Sequence, residues 1–137
     1  MNLTKTLLVI AASTLSFAAC KKEKDAPAPA ASNPTIVGYW TGKYGNTTAY
    51  PNNGYAFLFR SNGTVRVYNS TDTAGAGKAE GTYSISGSII KTTYQYIGTA
   101  SQYSTTASID SHFTFIEGTW GIGANDNNGG KFFANKQ

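Results

Sequence analysis

Between Ile36 and Asn135 apolar and polar side chains alternate along short runs, and clusters of Gly, Asn, Ser and Thr separate the runs. Alternation of period two puts every second side chain on the same face, which suits a half-buried β-strand and no helix. The composition sharpens this. All 15 glycines lie after Pro34, and Leu58 is the only leucine there. Thr, Tyr, Phe, Ile and Val dominate instead, and these are strand formers.

Strands are predicted over residues 36–44, 55–61, 64–69, 80–86, 88–97, 103–109, 113–122 and 131–135. In the first, Ile36, Gly38, Trp40 and Tyr44 share a face. In the second, Tyr55, Phe57 and Phe59 oppose Leu58. Val65 and Val67 oppose Arg66 and Tyr68 in the third, and Ile90, Thr92, Tyr94 and Tyr96 oppose Lys91 and Gln95 in the fifth. Asn62-Gly63 signals a hairpin between the second and third strands, and Ser86-Gly87-Ser88 signals another. A chain of about eight consecutive strands with short loops must hide its edges. The simplest solution is an all-β, antiparallel up-and-down barrel of about eight strands, the first pairing with the last; a sandwich or an open meander is the alternative. Residues 34–137 suffice for one domain with one core.

The strands carry an echo. Gly38-Tyr39-Trp40 recurs as Gly81-Thr82-Tyr83 and as Gly118-Thr119-Trp120. Glycine lets a strand bend or a neighbour come close, and the aromatic two places on shares its face and can plug the interior. The aromatic set Trp40, Phe57, Phe59, Tyr83, Tyr94, Tyr96, Trp120 and Phe133 is the candidate ligand pocket. An eight-stranded barrel either holds one small ligand or is filled by its own side chains; the sequence leaves both open.

The N-terminal part reads differently. Lys5 gives a positive charge, residues 7–17 are apolar and uncharged, and Ala18-Ala19 precede Cys20, the single cysteine. Residues 1–19 thus have the form of a secretory signal peptide, with an apolar run too short to span a bilayer. The charged run Lys21-Lys22-Glu23-Lys24-Asp25 leads into Ala26-Pro27-Ala28-Pro29, and residues 20–33 read as a flexible, disordered tether.

Small residues followed by a lone cysteine resemble the lipobox of bacterial lipoproteins. That resemblance implies diacylglycerol and acyl chains such as palmitate on Cys20, cleavage just before it, and a membrane anchor. Phe17 departs from the family's usual Leu. Lys, Glu and Asp right after Cys20 resemble the sorting signals of Bacteroidota surface lipoproteins, which implies a place in the cell envelope, on the outer membrane, facing the periplasm or the surface. The Gly-X-Trp/Tyr echo is similar to the first strand of lipocalins, to the repeats of avidins, and to the lipocalin-like, calycin-type domains of Bacteroidota lipoproteins. It implies a lipocalin-like barrel with no enzymatic activity. Such a barrel binds a small apolar or aromatic ligand, or else is filled and serves as a structural or partner-binding envelope lipoprotein. Lys131 and Lys136 stand where lipocalins often carry an Arg against the first Trp. Two tryptophans are too few for an avidin-type biotin site.

Chemistry finds little footing. Asp110-Ser111-His112 has the letters of a hydrolase triad, but neighbours on a strand cannot converge. Asp126 in Asn125-Asp126-Asn127-Asn128-Gly129 lacks the closing Glu of a calcium loop, and Gly121-Ile122-Gly123 precedes no helix. No catalytic residue, metal site or cofactor is expected. The net charge of +4 is spread along the chain, so no nucleic-acid partner is expected either. Asp72-Thr73-Ala74 resembles the O-glycosylation acceptor of exported Bacteroidota proteins, which would make Thr73 the acceptor.

Overall fold

The computed structural model describes residues 35–137. The expected signal peptide, Cys20 and the expected tether lie outside the described residues. Eight strands follow in order: β1 (Gly38–Tyr44), β2 (Asn53–Phe59), β3 (Thr64–Tyr68), β4 (Lys78–Ser86), β5 (Ile89–Tyr96), β6 (Gln102–Ile109), β7 (Phe115–Ile122) and β8 (Gly130–Lys136). Each pairs antiparallel with the next, and β8 returns to β1, so the sheet closes into a barrel. Gly42 of β1 lies opposite Tyr55 on one side and Ala134 on the other. Closure leaves no strand edge unpaired, which rules out the open meander and the sandwich.

Three glycines permit the close approach that closure needs. A Cβ at Gly42 would overlap the carbonyl oxygen of Phe133, one at Gly81 that of Thr93, and one at Gly118 that of Thr106. Main chain occupies the space where a side chain would stand. Two of these are the echo glycines. In β1 the role falls to Gly42, whereas a Cβ at Gly38 would meet only the end of the Lys136 side chain. The β2–β3 hairpin also differs from the tight Asn-Gly turn. Arg60 N–H donates to the Thr64 carbonyl at 2.9 Å, and Gly63 sits at φ 79°. The loop therefore has three residues, Ser61, Asn62 and Gly63, with glycine in the left-handed position.

The two ends of the barrel are unlike. At one end the connections are the short turns 60–63, 87–88 and 110–114, together with the segment entering β1. Ile36 folds under this end at 4% exposure, and the Trp40 indole N–H donates to its carbonyl at 2.8 Å. Trp40, Phe57, Phe59, Val65, Val67, Ile90, Ile109, Ile116 and Phe132 fill the interior. Trp40 meets Phe59 edge to face, and Phe57 stacks on Phe59. Above them Thr92 and Thr105, both buried, share a hydrogen bond of 2.7 Å between hydroxyls. The other end carries the longer loops 45–52, 69–77, 97–101 and 123–129.

The seventh strand begins at Phe115, two residues later than the alternation suggests. The cause is Asp110. Its carboxylate accepts from the backbone N–H of Phe115 at 2.7 Å and of Thr114 at 2.6 Å, and from the Thr114 hydroxyl at 2.8 Å. These bonds fold residues 110–114 into a turn, with Phe113 at φ 56° and its ring against the core.

Candidate functional site

Two tyrosines from opposite parts of the chain meet inside the barrel. The phenols of Tyr55 on β2 and Tyr94 on β5 are 2.5 Å apart, and both residues are 3% exposed. They form the floor of a cavity of about 270 Å³ at the long-loop end. Tyr44, Tyr96, Tyr103, Trp120, Asn46 and Asn69 complete its wall. The strands set this arrangement. Tyr44 and Trp120 lie on the inner faces of β1 and β7, and their rings meet edge to face at 5.7 Å. The Trp120 indole N–H donates to the Gly45 carbonyl at 2.9 Å, which holds the ring at the rim. Tyr94 opposes Tyr103 in the β5–β6 register, and these rings stack at 5.8 Å. Tyr96 closes the row, edge-on to Tyr103 at 5.5 Å.

The cavity is polar but uncharged. Burial pushes the phenols of Tyr55, Tyr94 and Tyr96 above the ordinary tyrosine range, so these rings stay neutral. None of the eight lining residues is an acid, a base or a histidine. The wall thus combines aromatic faces with hydroxyl and amide groups.

Of the sequence-derived set, Tyr94, Tyr96 and Trp120 line the cavity. Trp40, Phe57 and Phe59 belong to the filled half and are at most 1% exposed. Tyr83 lies at the closed end, where its ring meets Phe59 at 5.0 Å and its hydroxyl donates to the Arg60 carbonyl at 2.8 Å. Phe133 is a correction: it points outward. The inner residues of β8 are Gly130, Phe132 and Ala134, and the pleat sends Phe133 to the outer face, where it stacks on Phe115 at 6.4 Å. It borders a wider outer furrow that also runs past Tyr50, Glu117 and Lys131. That furrow holds no buried polar group and is open surface.

Sequence reasoning missed Tyr44, Tyr55 and Tyr103 as pocket residues. The signal was present for the first two, which share the inner rows of Trp40 and Phe57. Tyr103 needed the β5–β6 register. Asn46 lies two residues past the end of β1 and Asn69 one past the end of β3, and neither carried a signal.

The other singled-out residues are placed as follows. Asp110, Ser111 and His112 lie in the turn before β7 rather than on a strand. His112 is 85% exposed, and Asp110 is engaged by the turn. Asp126 accepts from the Thr106 hydroxyl, and Asn128 accepts from the Ile122 N–H at 2.8 Å, so this stretch is a turn tied to β6 and β7. No three His, Cys, Asp or Glu side chains converge among the described residues. Thr73 is half-buried in the 69–77 loop between exposed Asp72 and Ala74. Comparison with protein-family models, with curated proteins and with solved structures returns no match to this chain.

Proposed function

We propose that this chain is a lipid-anchored, non-enzymatic binding protein of the cell envelope, whose lipocalin-like barrel takes one small molecule into its tyrosine-lined end. The observation that carries the reading is the contrast between the two halves of the interior. One half is packed solid with Trp, Phe, Ile and Val; the other leaves about 270 Å³ open behind an aromatic rim. A barrel filled for stability alone would have no use for a cavity at its mouth, where large rings were available to close it. Thr35 enters at the closed end, where its carbonyl accepts from the Lys136 ammonium at 2.6 Å, and strands of about 25 Å separate that end from the mouth.

Trp120 at the rim is the natural reporter. The chain from Lys21 onward, made without signal peptide or lipid, carries the whole closed barrel and its core. N-phenyl-1-naphthylamine, a neutral aromatic fluorophore, is expected to quench Trp120 and to lose affinity in Trp120→Ala. If neither this probe nor any small polar ring alters tryptophan emission in the well-folded protein, the filled-barrel reading, a structural or partner-binding lipoprotein, replaces the binding one.

A further inference from the structure

The hydroxyl pair at the cavity floor defines what kind of molecule fits above it. Tyr55 and Tyr94 carry two hydroxyl protons between them and share one hydrogen bond. One proton is used in that bond. Among the described residues neither hydroxyl has another partner, so the pair presents one unspent O–H to the cavity, together with free lone pairs. A buried donor left without an acceptor is costly. Higher up, the hydroxyls of Tyr44, Tyr96 and Tyr103 and the side-chain amide of Asn46 make no hydrogen bond to the described residues, whereas the Asn69 carbonyl oxygen is engaged by the Gly77 N–H at 2.8 Å. The wall therefore offers several groups that each donate and accept.

Chemistry excludes the other ligand classes in turn. An apolar molecule would cover the Tyr55–Tyr94 pair and leave its proton unmet. A carboxylate or phosphate would enter a site with no cation to balance it. An ammonium would gain from the ring faces but has no lone pair to accept the unspent proton. A neutral ring bearing hydroxyls meets every requirement. Its oxygens accept from and donate to the phenols, and a C–H face lies against the aromatic rings of the rim. The volume sets the size. About 270 Å³ equals on the order of nine waters, and it lies just below the ~300–1,000 Å³ of drug-sized sites. One sugar ring fits inside; the three rings of N-phenyl-1-naphthylamine are taken only with part of the molecule projecting through the open rim, and a long acyl chain does not fit.

We infer that the open end of the barrel is a saccharide site, sized for one neutral sugar unit seated on the Tyr55–Tyr94 hydroxyl pair beneath the aromatic rim. This rests on the binding-protein reading above and names its ligand class. The open rim allows the unit to be the end of a longer glycan reaching in from the water side.

The test uses the chain from Lys21 onward. Methyl glycosides of glucose, galactose, mannose and N-acetylglucosamine are titrated by calorimetry and by tryptophan emission, beside glucose 6-phosphate and N-phenyl-1-naphthylamine. At least one neutral glycoside should bind, and the phosphate should bind at least tenfold more weakly than glucoside. Tyr94→Phe keeps the ring and removes one hydroxyl; it should weaken the glycoside about tenfold and leave the fluorophore unaffected. Asn46 is exposed and its side-chain amide makes no hydrogen bond to the described residues, so Asn46→Ala should weaken the glycoside while leaving the melting temperature unchanged. This second variant guards against Tyr94→Phe simply loosening the fold. If the fluorophore binds and no glycoside does, the saccharide assignment is overturned and the binding reading survives. If nothing binds, both fall.

Discussion

Trp40 is where the barrel is most exposed to a single change. Its ring is fully buried, edge-on to Phe59, and its N–H is bonded to the Ile36 carbonyl. Trp40→Ala removes roughly 200 Å² of buried apolar surface, which at about 25 cal/mol per Å² is ~5 kcal/mol. Partial collapse of the hole lowers this, and measured large-ring truncations cost about 3–5 kcal/mol. The Ile36 carbonyl then loses its donor, which adds ~1 kcal/mol. The sum is about 5 kcal/mol, a large part of the ~5–15 kcal/mol that holds a typical domain together. At ~4–8 °C per kcal/mol for a domain of this size, Tm should fall by about 20–40 °C. Urea unfolding followed by far-ultraviolet circular dichroism measures it, with Trp120 emission as a second probe. Trp40→Phe keeps most of the packing and should cost ~1–2 kcal/mol. Ile122 is 57% exposed, so Ile122→Ala is the control and should cost under ~0.5 kcal/mol. Trp40→Ala no worse than that control would refute the plugged end, and with it the assignment of the mouth as the only open half of the interior.

Gly118→Ala should destabilise by ~3 kcal/mol, at the upper end of overpacking costs, because its Cβ meets Thr106 and Ala107 main chain that cannot swing aside. Gly75→Ala, with nothing near it, should be neutral in the same melt; equal effects would discredit the tight inter-strand contact. Asp110 gives an acid-limb prediction. Hydrogen bonds from the Phe115 and Thr114 backbone hold its carboxyl down to about 2, below its ordinary value. A folded-state value below the unfolded one means its contribution is complete above about pH 4 and is lost as pH falls through about 2. Asp110→Asn should flatten that limb, and an unchanged limb would count against the turn. Cys20→Ala should abolish incorporation of an alkyne palmitate analogue and release the protein from membranes; equal labelling of both proteins would remove the anchor.

The strands and their inner faces were legible because each strand is wet on one face only, and burial of the other fixes the register of every second residue. The errors share a cause. β8 contains two adjacent aromatics, Phe132 and Phe133, and alternation alone cannot tell which faces in. The pairing of Ala134 with Gly42 and Ile116 decides it, and that is a long-range fact. The start of β7 was misread because Asp110 competes with the ladder for the Thr114 and Phe115 N–H groups, a local side-chain bond that hydrophobic period does not register. The echo glycines were recognised as a group, yet only the barrel shows that Gly42 replaces Gly38 in the role. The pocket was half legible: its rings were visible, and its hydroxyl pair was not. Tyr55 and Tyr94 are 39 residues apart and meet only across the closed interior.

Read along the barrel axis, the inner rows share one polarity gradient. On β2 the order from the closed end is Phe59, Phe57, Tyr55; on β5 it is Ile90, Thr92, Tyr94, Tyr96; on β6 it is Ile109, Ala107, Thr105, Tyr103. β1 runs from Trp40 to Tyr44, and β7 from Ile116 to Trp120. On β2, β5, β6 and β7 aliphatic or phenyl groups thus give way to hydroxyl- or N–H-bearing ones at about the same height, whereas the inner rows of β3 (Val65, Val67) and β8 (Phe132, Ala134) stay apolar. Core packing alone does not ask for this, since Phe in place of Tyr55 or Tyr94 would fill the same space without a polar group to satisfy. Tyr83 runs against the gradient, and its hydroxyl is accounted for by the Arg60 carbonyl at the closed rim. Among the described residues the Tyr55–Tyr94 pair has no such partner beyond itself. It stands at the level where the dry core ends, with its unspent proton at the floor of the cavity.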